Sequence, residues 1–339
     1  MAPLTRRRAI EGNTPNEVMA TYYGQRASAG LIIAEGTSPS PDGLGYIHIP
    51  GLFDKTHMNA WKQTTEAVHK NGGRIFLQVM HTGRVGHPNN LPDGGRLIAP
   101  SAIAQAGEIS TYDQGKQPYP VPEEMTLEDI ARTIEEFKNC ALLADEAGFD
   151  GIEIHSAHGY LPNQFLNVSS NQRTDMYGGS SENRMRFLLD IVEICCNAIG
   201  SEKVGVRISP YSYAETEEDH TELEYRYLKL SEILNSYDLA YLHLSHMGEA
   251  LPEKFALWKK IRNVYHDTLI LCGDFTKETA EEKLAAGEAD LIAFGRDYIA
   301  NPDLVERFKN NWPLRERDRK HWYTHSAEGY SDFKNFEEN

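Results

Sequence analysis

The chain of 339 residues carries 34 Lys and Arg against 50 Asp and Glu, a net charge of −16, which argues against general nucleic-acid binding and against docking on anionic membranes. It leaves room for one local basic pocket. The composition is that of a soluble globular protein of one large domain or two ordinary ones, and no apolar run approaches the roughly 18–20 residues of a membrane span. The start, Met1 to Arg8, has basic residues with no apolar stretch behind them, so it does not read as a secretory signal. Cys140, Cys195, Cys196 and Cys272 form no C-x-x-C pair, and a reduced, cytoplasmic setting is expected.

Short apolar or β-branched runs alternate with longer amphipathic ones. Strands are predicted at Met1–Leu4, Leu31–Glu35, Arg74–Gln78, Gly151–His155, Lys203–Ile208, Ala240–Leu244, Leu269–Cys272 and Leu291–Phe294. Helices are predicted at Asn16–Ser28, Lys55–Asn71, Thr126–Ala147, Ser181–Ile199, Glu222–Asn235, Glu253–Tyr265, Lys277–Ala286 and Asn301–Lys309. Thr126 followed by acids reads as a helix N-cap. Eight alternations fit a closed (β/α)8 TIM barrel better than an open doubly wound sheet. No Pro/Ser/Gly linker divides the chain, so residues 1–339 are expected to form one domain. The Pro- and Gly-rich stretch 85–121 reads as an inserted lid or subdomain after the third strand, and 312–339 as a tail folding back over the barrel. The first strand is short, which reads as a truncated or remodelled N-terminus.

The chemistry concentrates after the strand Gly151–His155, where His155, His158 and Tyr160 follow one another at its C-terminal end, the face on which barrel enzymes work. The long polar loop that continues through Asn171, Arg173, Asp175 and Tyr177 is costly unless it builds a site. As H-x-x-H with Glu153 the histidines are a poor metal set, with no third His or Cys nearby. As core residues they would be satisfied by backbone. Paired at a strand end, they read better as hydrogen-bond donors to an anionic or carbonyl oxygen, with Tyr160 as a candidate acid. Arg207 inside an apolar strand needs a partner. It either stabilises negative charge at the barrel mouth or pairs internally with Glu153. Gln78 closes its strand as a neutral donor and acceptor. Cys272-Gly273 and Gly295-Arg296 each end a strand just before a helix, a setting suited to phosphate. The alternative is that the glycines only turn the chain and Arg296 pairs with an acid. No G-x-G-x-x-G and no P-loop motif occurs.

Taken together, Met1-Ala-Pro-Leu-Thr5-Arg, Gln78-Val-Met-His-Thr-Gly-Arg84, the histidine loop with Asn171-Gln-Arg-Thr-Asp175, Phe294-Gly-Arg296-Asp and Ala327-Glu-Gly-Tyr330 resemble the old yellow enzyme family of FMN-dependent ene reductases. The similarity covers essentially the whole chain and is nearest the bacterial branch that includes N-ethylmaleimide and nitrate-ester reductases. It implies FMN as cofactor and NADPH or NADH as reductant. It places Pro3, Leu4, Thr5, Gly36, Gln78 and Arg207 along the flavin rings, and Tyr323 at their far end. Cys272, Gly273, Gly295 and Arg296 would hold the phosphate. His155 and His158 would bind the carbonyl or nitro oxygen of the substrate, Tyr160 would protonate it, and Tyr46 and Met80 would line its pocket.

The implied reaction is ping-pong reduction of an activated C=C bond in a small molecule, an enone or maleimide, with nitro compounds and nitrate esters as variants. The sequence departs from the family pattern in two places. Met80 replaces a bulky aromatic and should widen the pocket. A longer N-terminal stretch is usual, and its loss would leave the second and eighth strands with unpaired edges and apolar barrel-bottom surface exposed. Two alternatives follow: a truncated flavin-binding relative with little or no turnover, and a phosphate-binding barrel lyase or isomerase without flavin. The oligomeric state is not legible.

Overall fold

A computed structural model describes residues 1–212, 219–246, 252–316 and 318–336. Seven parallel strands form one sheet: β1 (Ile32–Ile33), β2 (Ile75–Val79), β7 (Gly151–Ser156), β8 (Val204–Ile208), β9 (Tyr241–Ser245), β10 (Leu269–Cys272) and β11 (Leu291–Ala293), paired in that order. Between β2 and β7 lie four short strands: β3 (Ile98–Ala99) pairs with β6 (Glu123–Glu124), and β4 (Glu108–Thr111) with β5 (Gly115–Pro118) in a hairpin.

The eighth strand position is taken by the first two residues. Met1 N donates to Leu31 O at 2.6 Å and Ile33 N to Met1 O at 3.0 Å on one side. Ala2 N donates to Phe294 O at 2.9 Å on the other. The sheet therefore closes on itself through Met1 and Ala2, and the expectation of unpaired edges beside a truncated strand is corrected. Phe76 and Tyr241 fill the barrel floor, buried with Ile33, Ile270 and Ala2, while Leu291 at the bottom end of β11 remains exposed, as expected beside a short first strand. Two glycines make room for those rings. A Cβ at Gly151 would lie 2.5 Å from the Phe76 ring, and one at Gly205 2.4 Å from the Tyr241 ring. Gly205→Ala is therefore expected to cost about 1–3 kcal/mol of stability through overpacking, measurable as a shift of the denaturation midpoint. An unchanged midpoint would mean that Tyr241 has room to turn.

Helices cover the outside of the barrel. Leu127–Glu146 begins at Thr126, whose hydroxyl accepts from Asp129 N while Asp129 returns a bond to the Thr126 amide. Such a box satisfies two amides that the helix cannot pair internally. Ser181–Ile199, Lys55–Lys70 and Lys277–Ala285 fall within a residue of their predicted bounds. The main additions are short. Leu161–Leu166, with Pro162 in its first turn, and Arg296–Ala300 are single-turn helices at the barrel mouth, too brief to show a helical period.

The C-terminal tail is clamped to the N-terminal segment by two buried arginines. Arg6 donates to Trp322 O and Gly329 O at 3.0 and 2.8 Å, and Arg8 to Trp322 O and Thr324 Oγ1 at 2.7 Å each. Tyr330 stacks on Tyr22 with ring centroids 4.0 Å apart. These contacts hold Trp322 and Tyr323 over the mouth of the barrel.

Candidate active site

Alternation along the strands decides what faces the interior. On β7, Gly151, Glu153 and His155 share a face, and their register partners on β8 are Arg207 for His155 and Gly205 for Glu153. Arg207 in turn stands beside His243 of β9. Glycines and rings occupy the bottom of the barrel, and charged groups the top. Above them opens a cavity of about 580 Å³. It is lined by Pro3, Leu4, Thr5, Tyr46, Gln78, Met80, His155, His158, Tyr160, Arg207, Cys272, Gly273, Gly295, Arg296 and Tyr323. Every site residue predicted from the sequence is thus brought to one space, with one exception. Gly36 does not line it, because Met80 lies over it: a Cβ at Gly36 would sit 2.5 Å from the Met80 sulfur.

The turn after β7 sets the two histidines apart. His158 takes a left-handed backbone (φ 57°) and Gly159 follows at φ 81°, a conformation costing a non-glycine residue about 1–3 kcal/mol. It is held by His158 N donating to Ser209 Oγ and Gly159 N to Asn163 Oδ1, both at 2.8 Å. The His155 and His158 rings end with centroids 5.9 Å apart, and the Tyr160 ring 4.9 Å from His155. Burial pushes both histidines well below the usual imidazole range, and Arg207 adds to the effect. The shift favours the neutral imidazole, which carries one N–H donor, and His158 Nε2 lies 3.0 Å from Ser245 Oγ. The Tyr160 and Tyr46 hydroxyls are 3.2 Å apart. Burial, then Tyr160, raise Tyr46 well above the phenol range, which keeps its O–H intact.

Below the cavity a charged layer completes the site. Glu153 accepts from Gln78 Nε2 at 2.7 Å and is paired with His243 Nδ1 at 2.7 Å, both side chains fully buried. The alternative reading of Arg207, an internal pairing with Glu153, gives way to this one. Arg207 Nη2 instead donates to Ser245 Oγ at 2.7 Å and lies 3.7 Å from Cys272 Sγ. Burial alone would raise the Cys272 thiol, but His243 and Arg207 outweigh it and lower it. Sequence reasoning missed His243 and Ser245. The signal was present, since Tyr241, His243 and Ser245 are alternate polar residues in an otherwise apolar strand. It also expected the whole histidine loop to build the site. Asn163, Gln164, Asn167 and Ser170 do line the cavity. Asn171, Arg173 and Asp175 act as buttresses: Asn171 bonds Phe165 O and Tyr177 O, while Arg173 grips Asp175 and the Pro100 and Met125 carbonyls.

The cavity fits a flavin mononucleotide by its donor set. Arg207 Nε and His155 Nδ1 are buried and have no hydrogen-bond partner among the described residues, a debt that a polar ring edge would settle. At the other end Gly273, Asp274, Gly295 and Arg296 meet where the Arg296–Ala300 helix opens with no side-chain cap, a setting that favours an anion. Arg296 Nη1 donates to Asp274 at 3.1 Å, as the alternative reading of Arg296 expects, and a guanidinium carries further N–H groups beyond that bond. Among the described residues no group of three or more His, Cys, Asp or Glu is placed to hold a metal, and no helix is long and apolar enough to cross a membrane.

A parallel barrel whose mouth combines an anion cradle, a buried arginine and two neutral histidines beside a tyrosine is the architecture of a flavin-dependent oxidoreductase. Residues 1–315 match the NADH:flavin oxidoreductase / NADH oxidase family, and the chain belongs to that family, within its old yellow enzyme group. A probable flavin mononucleotide-dependent alkene reductase of Leishmania infantum is 41% identical over 338 residues, covering 98% of this chain and 92% of the relative. 12-oxophytodienoate reductase 7 of Oryza sativa subsp. japonica is 39% identical, covering 98% and 89%. Among solved structures, the old yellow enzyme homologue from Zymomonas mobilis superposes with a TM-score of 0.93 at 41% identity, covering 98% of this chain and 94% of that one. Morphinone reductase in complex with tetrahydroNAD superposes with a TM-score of 0.93 at 39% identity, covering 99% and 93%. Nothing in these likenesses favours a relative that has lost turnover.

Proposed function

We propose that His155, His158 and Tyr160 carry out the substrate chemistry of an FMN-dependent ene reductase on the cavity wall facing Arg207 and Gln78. The enzyme reduces the activated C=C bond of small α,β-unsaturated carbonyl compounds with a nicotinamide reductant. The observation that carries the residue assignment is the convergence, in one cavity, of two imidazoles shifted toward their neutral form, a tyrosine held against a second tyrosine, and an arginine whose Nε has no partner among the described residues. Bound FMN supplies the hydride exchange between nicotinamide and alkene.

The chain's own residues do the rest. The two imidazole N–H groups hold the carbonyl oxygen and draw electron density from the alkene, so that charge developing on oxygen meets preorganised donors. Tyr160 gives its proton to the α-carbon. Tyr46 keeps its own proton and can donate toward the Tyr160 oxygen, stabilising the phenolate left behind. Arg207 would sit at the pyrimidine edge of the flavin beside Gln78, and Cys272, Gly273, Gly295 and Arg296 around its phosphate. Pro3, Leu4 and Thr5 would line the rings, and Tyr323 their far end. Met80, a flexible thioether buried beside Tyr46, leaves the substrate half adaptable, and nitro compounds or nitrate esters are further substrates of this reading. Residues 85–121, which contribute Val85, Gln105 and Tyr119 to the lining, act as its lid. Four cysteines without disulfides suit a reduced cytoplasmic setting.

The test is the visible spectrum of the purified protein. A flavin spectrum that bleaches with anaerobic NADPH and recovers on adding cyclohexenone is expected. A protein that binds no FMN when it is supplied would overturn the reading. Because both histidines stay neutral, kcat/KM for the enone should show no imidazole titration between about pH 6 and 8, near the ordinary His value of about 6.5. A limb in that range would show that one of them titrates in catalysis.

A further inference from the structure

Ser245, the last residue of β9, stands between Arg207 and the histidine loop. Its register partner on β10 is Cys272. It is buried, and it lines the cavity together with Arg207 and His158. Its hydroxyl has a neighbour on each side: Arg207 Nη2 at 2.7 Å and His158 Nε2 at 3.0 Å. A guanidinium can only donate, so Arg207 occupies a lone pair of the serine oxygen. The hydroxyl keeps one proton to give. In a neutral imidazole the nitrogen without hydrogen is a good acceptor, and His158 Nε2 is within reach of that proton. Cys272 is the other acceptor near Ser245, and a thiol sulfur is a weaker one.

His158 is thereby held from two strands. Ser209, just beyond β8, accepts from its backbone amide at 2.8 Å and keeps the left-handed turn, while Ser245 at the end of β9 meets its ring. A neutral imidazole has a single N–H, and the hydrogen bond made by one ring nitrogen decides whether the other carries it. We propose that Ser245 is a positioning residue: by accepting from Arg207 and donating to His158 Nε2 it fixes His158 as the Nδ1–H tautomer and commits that one N–H to the substrate oxygen. The inference rests on the ene-reductase reading, in which His155 and His158 hold a carbonyl oxygen. Hydrogen bonds in series polarise one another. The chain Arg207–Ser245–His158 therefore draws density from the imidazole and strengthens the donor that meets charge developing on that oxygen.

The test is the tautomer of His158 in FMN-loaded enzyme labelled with nitrogen-15 histidine, read from the two-bond nitrogen–proton correlations of the ring and assigned by the signals lost in His158→Gln. The wild type should show hydrogen on Nδ1. Ser245→Ala should move part or all of it to Nε2, and Ser245→Thr, which keeps the hydroxyl, should restore the wild-type pattern. Hydrogen on Nε2 in the wild type overturns the proposal, because Ser245 would then accept from both neighbours and give its proton to Cys272. A wild-type pattern that persists in Ser245→Ala overturns it as well. If Ser245→Ala does not fold, the wild-type tautomer decides alone. In turnover, Ser245→Ala should lower kcat/KM for cyclohexenone by about tenfold, in line with one hydrogen bond to a forming anion. In a His158→Gln background the same change should cost less than about twofold, because groups acting through one another are not additive. Equal losses in both backgrounds would place the effect of Ser245 on Arg207 instead and remove the proposal. If no enone is reduced, the reading of the reaction falls, and the tautomer still decides what Ser245 does.

Discussion

Tyr160→Phe lowers the rate at which reduced enzyme consumes cyclohexenone by about 10²–10⁴-fold, the usual worth of a positioned general acid, and leaves the bleaching of the flavin by NADPH almost unchanged. The phenol ring of Tyr160 packs 4.9 Å from His155, and phenylalanine keeps that contact while removing only the transferable proton. The loss therefore appears in the half-reaction that needs a proton on carbon and not in the other. Rapid mixing of the two half-reactions separates them. Equal losses in both would show that Tyr160 supports the cavity's shape rather than proton transfer. Tyr46→Phe removes one stabilising hydrogen bond, 3.2 Å long, and is expected to cost only about tenfold in the same step, in line with roughly 1.5 kcal/mol for a bond to a forming anion.

The second large effect concerns stability. Glu153→Leu leaves His243 and the Gln78 amide buried without their acceptor, and removing one member of a buried pair costs about 3–5 kcal/mol. At about 2.1 cal/mol/K per residue, that lowers Tm by roughly 4–7 °C, measured at a fixed FMN concentration because bound cofactor adds stability.

The pH dependence follows from the two shifts. Burial alone would raise Glu153, but His243, Arg207 and Gln78 outweigh it and hold it below the usual carboxylate range. Burial and Arg207 would lower His243, but Glu153 outweighs them and raises it. A depressed carboxylate stabilises above its unfolded pKa and loses that contribution as pH falls through the native value. A raised histidine stabilises below its unfolded pKa and loses that contribution as pH rises through the native one. The stability gap between wild type and Glu153→Leu should therefore be widest between about pH 4.3 and 6.5, the ordinary values of the two groups, and narrow on both sides. A gap independent of pH would mean that neither group's pKa differs between the native and the unfolded chain.

The fold was legible because a parallel barrel buries its strands on both faces and writes them as unbroken apolar runs. Seven of the eight predicted strands stand within two residues at most ends, although β1 keeps only Ile32–Ile33. The first strand was misjudged for a physical reason. Closure needs backbone hydrogen bonds and not a full-length strand, and Met1 and Ala2 provide bonds to both neighbours. The histidine loop advertised itself because polar residues at a strand end are costly without a task. Its division into lining and buttress did not show, because Asn171 and Arg173 look as polar in sequence as Asn163 and Gln164.

The sequence by itself determined the alternation of elements, the strand ends that carry chemistry and the residue types at the barrel mouth. Those properties reside in local periodicity and in side-chain chemistry. Only the tertiary structure decided which groups meet: that Glu153 belongs to His243, that Arg207 turns to Ser245, and that Met80 covers Gly36. Those outcomes depend on the register between strands far apart in the chain and on the volume left by Gly151 and Gly205. No single segment contains that information.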